Sequence, residues 1–271
     1  MILYISSAFE SFPSCIPLEQ RQKKRNVWEY YDLKDLSILQ SYAYAKPLFA
    51  EHYKECKNFL MDSGAFTLMM HQSSTKNFDI KKFAKEYATF IKKYDIDNFI
   101  ELDVDGLFGI DVYKDILHMV QDITGKDPLR VFHGWRGKDY YLELVKKKKS
   151  ICLGGVAVGV NRNNTADYFQ WFLDRAHENG CKVHGLAITS PDFVRRFDFD
   201  SVDSSSWTFG ARGACVYRFD GTGMQMYKGS ENCPPGKRVD TVWVMRHNFD
   251  EWIKFQHMAE KIDTLYEKTI E

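Results

Sequence analysis

Short apolar runs recur along the chain with little polar interruption. They are ILYIS (2–6), NFLMDSG (58–64), NFIELDVD (98–105), LRVFHG (129–134), ICLGGVAVG (151–159), KVHGLAI (182–188) and DSVDSS (200–205). Near-continuous apolarity fits parallel strands buried on both faces. Between them lie stretches whose apolar period is three to four. IKKFAKEYATFIKKY (80–94) puts Phe83, Ala84, Tyr87, Phe90, Ile91 and Tyr94 on one helical face. Segments 111–123, 140–147 and 166–180 continue the pattern, the last ending at Gly180, a suitable C-cap. Pro191 fits a first helical turn. Residues 248–271 read as one long C-terminal helix with Trp252, Phe255, Met258 and Ile262 inward. Alternating strands and helices predict an α/β fold with a parallel sheet. With nearly eight units, the expectation is a single (β/α)8 TIM-like barrel, and an open doubly wound sheet is the alternative. Residues 1–271 read as one domain, with 11–50 and 207–240 as irregular loop insertions.

Composition narrows the class. The chain has 271 residues, 44% of them apolar, enough to bury a full core, so disorder throughout is excluded. Lys+Arg and Asp+Glu both number 37, which excludes a broadly cationic nucleic-acid coat but not a local basic groove. No apolar run approaches the ~18 residues of a membrane span, and MILYISSAF lacks the basic start of a signal peptide. Six scattered cysteines without a C-x-x-C pair suit reduced thiols in a cytoplasm, with Cys152 and Cys181 as small core residues.

The ends of the strands carry the candidate chemistry. Asp62 precedes Ser63 and Gly64, Asp103 and Asp105 close the third run, His133 the fourth, and Asp203 the last. Strands disfavour Asp through both propensity and desolvation, so acids at several strand ends ask for a reason. In a barrel, this is where function collects. For Asp105 and Asp192, helix capping is the simpler reading. His133 by itself reads as a hydrogen-bonded structural residue. The glycines of LGGVAVG either relieve crowding or leave room for a flat ligand.

Taken in order, MDSGAF (61–66), the acid at Asp103, LGGVAVG (153–159), VHGLAITSPD (183–192) and DSVDSSSW (200–207) resemble the tRNA-guanine transglycosylase superfamily, and most of all its 7-deazaguanine DNA transglycosylase branch. The resemblance spans roughly 55–210. It implies a (β/α)8 barrel that exchanges guanine in a nucleic acid for a 7-deazaguanine. By that likeness Asp203 is the nucleophile and Asp62 the general acid/base. Asp103 holds the Watson–Crick edge of the base. Ser63, Gly64, Gly155 and Val156 line the base, with Leu186 beneath it and Phe66 on the other face. His133 stands where many members carry Gln. The superfamily's C-x-C-x-x-C zinc site is not matched, since only Cys215, Cys233 and His247 lie in that region. No metal and no cofactor are expected.

The chemistry resembles retaining glycoside hydrolysis, with one carboxylate attacking the sugar and another handling the proton. The expected partner is single-stranded or locally opened DNA, with tRNA as the alternative acceptor, in a cytoplasm that can be a phage host's. Lys24, Arg25 and Arg212 are candidates for the phosphate path, and Trp207 for base stacking. The aromatics at 27–50, including Trp28, Tyr30, Tyr31, Tyr42 and Tyr44, either form a lid or pack on the rim. The basic run Lys146–Lys149 falls at the opposite end of a barrel and reads as solvated surface. Water as acceptor, or a silent barrel that only binds, are the remaining readings. Self-association is left open.

Overall fold

The computed structural model describes residues 1–21, 26–45, 47–65, 67, 78–154, 165–188, 190–228 and 239–267. Seven strands form one parallel sheet: β1 (Ile2–Ser6), β2 (Ser37–Ser41), β3 (Asn58–Asp62), β4 (Arg130–Phe132), β5 (Ser150–Leu153), β6 (Lys182–Gly185) and β7 (Ser201–Ser204). Their order is β3-β2-β1-β7-β6-β5-β4, so the sheet curls and leaves β3 and β4 as its edges. Residues 98–101 fill that gap. They bridge Met61 to Phe99 and Ile100 to Leu129, both in parallel. Backbone bonds run from the Ile100 amide to the Met61 carbonyl (2.8 Å) and from the Leu129 amide to the Phe99 carbonyl (2.9 Å). The eighth segment thus closes a TIM-like barrel and satisfies both edges.

Two apolar layers follow from the alternation of strand side chains. Tyr4, Leu39, Leu60, Ile100, Val131 and Cys152 pack together inside the barrel. Leu3, Ile5, Ile38, Phe59, Ile151, Val183 and Val202 face outward into the larger core beneath the helices. The Ile80–Tyr94 helix starts at Asp79, whose carboxylate accepts the Lys82 amide (2.9 Å). It buries Ile80, Ala84, Tyr87, Ala88 and Ile91. Phe83 and Phe90 are half-buried under Tyr42.

Three expectations are corrected here. Segment 11–50 is not an insertion, because it contains β2, whose neighbours are β1 and β3. SILQS hides its strand character because Ser37, Gln40 and Ser41 interrupt the apolar run. Segment 207–240 is not a plain loop either. It holds the antiparallel hairpin β8 (Cys215–Phe219) and β9 (Met224–Lys228). Asp220 organises the turn, accepting from the amides of Thr222 (2.8 Å) and Gly223 (2.7 Å). Finally, the last helix spans Thr241–Glu267 and begins before residue 248, capped by Asp240, which accepts the Val242 and Trp243 amides. It lays Trp252 and Phe255 into the core. Among the described residues no helix is long and apolar enough to cross a membrane.

Candidate active site

Parallel strands end together, so Asp62, Asp103, His133, Gly154, Leu186 and Asp203 all reach the same mouth of the barrel. Asp62 is the last residue of β3. Its Oδ2 accepts the Gly64 amide (3.0 Å) in a turn that needs φ +84° at Gly64, where a Cβ would press on Ala43 at 2.8 Å. Burial and the neighbouring Asp103 charge push its carboxyl up to about 6. Asp203 adds a smaller push, and Ser41 and the Gly64 amide partly oppose it. The three acids therefore sit close enough to sense one another's charge.

Asp203 is buried and gripped by donors from two other segments. Ser6 Oγ donates to its Oδ2 (2.7 Å), and the Ala187 amide donates to its Oδ1 (2.7 Å). Ala187 adopts φ 56°, uncommon for a residue with a side chain, and the strain aims its N–H at the carboxylate. Gly185 and Ala187 flank Leu186, which is partly buried and packs on the inner apolar cluster.

Asp103 is reached through a kink: the Val104 amide bonds to the Leu102 carbonyl (3.0 Å), which swings the acid toward the barrel axis. Its Oδ2 lies 2.7 Å from His133 Nε2. His133 Nδ1 is buried without a partner among the described residues. The ring fits only because residue 154 is glycine, since a Cβ there would come within 2.7 Å of His133 Cε1. Trp135 stacks on the outer face of His133, with centroids 4.2 Å apart and planes at 5°, and remains 64% exposed.

Beneath these groups lies a charged support. Arg136 makes two bonds to Asp105 (3.0 and 2.8 Å) and one to the Val131 carbonyl (2.7 Å). Glu101, fully buried, accepts from the Val131 amide and Tyr113 hydroxyl and pairs with Arg130 at 2.7 Å. Burial disfavours the Asp105 charge, yet Arg136 overrides it and holds the carboxyl below its usual range. Asp105 is thus a buried anchor for Arg136 rather than a simple cap.

Other sequence expectations fare differently. Trp207 cannot stack on a base. It is 0% exposed, its Nε1 donates to the Ser6 carbonyl (2.8 Å), and it meets Phe249 edge-on. The indole closes the core beneath β1 because the 3-10 turn Ser206–Thr208 points it inward. Ser63 is wholly buried with its hydroxyl toward the Ala65 amide, so it supports the turn rather than facing the mouth. Arg212 is exposed. Trp28, Tyr30, Tyr31 and Tyr42 pack against Phe9, Phe12, Phe49 and Phe83, the rim-packing alternative, while Tyr44 stays exposed. Phe66, Gly155, Val156, Lys24, Arg25 and Cys233 lie outside the described residues. Cys215 is in β8 and His247 Nε2 meets the Tyr217 carbonyl. Among the described residues no group of three or more His, Cys, Asp or Glu could hold a metal ion. Sequence reasoning missed Ser6, His184, Trp135 and Arg136, none of which carries a local signal separating it from ordinary strand or loop residues.

A cavity of about 500 Å³ opens at the other end of the barrel, bordered by Ile2, Tyr4, Leu129, Lys182, His184 and Ser201. The acids at the mouth do not line it.

No family model and no curated protein matches the chain. Among solved structures it is similar to the carboxyl transferase domain from Rhizobium etli pyruvate carboxylase with pyruvate, at 15% identity and a TM-score of 0.47, over 95% of this chain and 48% of that one. With 3-hydroxypyruvate, the same domain gives 13% identity and a TM-score of 0.48, over 96% of this chain and 48% of that one. The chain spans about half the length of these structures.

Proposed function

We propose that the chain is a base-exchange transglycosylase that replaces guanine in DNA with a 7-deazaguanine derivative. The observation that carries this reading is the carboxyl of Asp62, pushed up to about 6 by burial and by Asp103, at the same barrel mouth as Asp203. A carboxyl at that value can give a proton and take it back near neutral pH.

Asp203 attacks the anomeric carbon. The bond from that carbon to N9 of guanine breaks, and its electron pair goes to N9, which takes the Asp62 proton. The incoming deazaguanine gives its N9 proton to Asp62 and attacks the same carbon, and the bond to Asp203 breaks. Two inversions leave the sugar's configuration unchanged. Asp103, tied to His133 through Oδ2, keeps Oδ1 for the N–H edge of the purine. The target guanine must leave its stack to enter. Trp135, exposed at the mouth, offers the stacking face that Trp207 does not.

The test is incubation with labelled 7-deazaguanine and, separately, single-stranded DNA, duplex DNA and tRNA. Label is expected in DNA, fastest in single strands. Asp203→Asn is expected to lose incorporation and keep base binding. Incorporation into tRNA alone would reassign the acceptor. Full exchange by Asp203→Asn would overturn the mechanism.

A further inference from the structure

His184 is buried at 4% exposure in the centre of the barrel and has no part in the scheme above. Its Nδ1 lies 2.9 Å from Ser201 Oγ. Its Nε2 lies 3.6 Å from Asp203 Oδ1 and has no hydrogen-bond partner among the described residues. The ring is fixed edge-on to Tyr4, centroids 5.7 Å apart. A buried ring nitrogen left unpaired is costly, so its place beside a carboxylate asks for a function. Asp203 can only accept. The tautomer that suits both neighbours therefore accepts a hydrogen bond from the Ser201 hydroxyl at Nδ1 and carries N–H at Nε2.

We propose that His184 is a positioning residue for Asp203, whose Nε2–H binds the charge that returns to the carboxylate as it leaves the sugar. The proposal rests on the base-exchange reading. In the covalent intermediate one Asp203 oxygen is bonded to the anomeric carbon and the carboxyl has lost its charge. When the incoming base displaces it, that carbon–oxygen bond breaks and its electron pair goes to Asp203. At 3.6 Å the His184 donor is too far to bind the resting group firmly. A shift of under about 1 Å brings it into bonding range, where it favours the charged carboxylate over the covalent adduct and so hastens the adduct's breakdown. A donor aimed at developing charge in a dry site needs no reorganisation from solvent.

His184 and Ser201 also border the cavity at the far end of the barrel. Removing the imidazole would join its vacated volume to that cavity, so a small solute could enter from the side opposite the nucleic acid.

The experiment compares wild type, His184→Ala, His184→Gln and Ser201→Ala as full chains. His184→Ala is expected to slow turnover roughly 10–100-fold, the scale of one hydrogen bond to a charged group. The KM for the base should stay unchanged, and the covalent enzyme–DNA adduct should accumulate on denaturing gels. Added imidazole should drain the adduct and restore turnover, and Gln should restore part of it. Nitrogen-15 NMR of the wild-type ring should show the Nε2–H tautomer, lost or mixed in Ser201→Ala. Adduct and turnover falling together, absence of imidazole rescue in a folded His184→Ala, or an Nδ1–H ring in wild type would each overturn the proposal. The NMR arm needs no substrate. A wild type that exchanges no base would refute the base-exchange reading while leaving the His184–Asp203 contact testable.

Discussion

An ionised Asp62 sits in a poor place for a charge, half-buried beside two other acids. Its native carboxyl, up to about 6 from 3.8, holds a proton more tightly than the unfolded chain does. That difference opposes folding fully above about pH 6 and fades as pH falls toward the ordinary carboxyl range. Asp62→Asn is therefore expected to raise stability by about 1–3 kcal/mol at pH 8, and by much less near pH 4. Thermal melts at the two pH values check this. The same variant should lose base exchange, a trade of function for stability common at active sites. The presence of acids at strand ends was visible in the chain, because a strand resists Asp. Their mutual proximity, which moves the pKa, was not.

At the scale of single elements, the loop after β4 does more than its residues announce. HGWRG looks like an ordinary polar turn. In the fold, the 3-10 turn Gly134–Arg136 lifts Trp135 onto His133 and turns Arg136 back onto Asp105 and the Val131 carbonyl. There Arg136 is a main counter-charge for Asp105 and also approaches Glu101 (3.5 Å). Arg136→Met would leave buried acids undercompensated. We expect a loss of roughly 3–5 kcal/mol in urea unfolding, against near-neutral cost for an exposed Arg such as Arg212. The strand–helix alternation of most elements was legible from apolar period. β2 was not, because three of its five residues are polar: Ser37 and Gln40 are buried, and the Ser37 amide is matched by Gln256 of the last helix (2.9 Å). The hairpin β8–β9 was missed for a similar reason, since most of β9 is exposed and lacks an apolar face.

Across the whole molecule, the first strand, the last barrel strand and the C-terminal helix are tied at Trp207. The indole bonds to Ser6, whose own hydroxyl holds Asp203, and packs on Phe249 of the helix. Trp207→Ala should cost about 3–5 kcal/mol as a buried cavity. Reduced binding of nucleic acid with native stability would instead restore Trp207 to the surface role that its neighbourhood in the sequence suggested. Denaturant melts alongside a binding titration separate the two.

The amino-acid sequence by itself determined most of the strands and helices, that they alternate, and that acids stand where strands end. Those properties are local, written in residue spacing of two or three to four and in the cost of burying charge. Tertiary structure alone decided that residues 98–101 close the ring, that Ser6 meets Asp203 across 197 positions, that His184 stands behind the carboxylate, and that Trp207 is inside while Trp135 is out. Contacts at that separation depend on barrel closure and on how each side chain fills the space left by the others, and spacing along one chain carries no record of either.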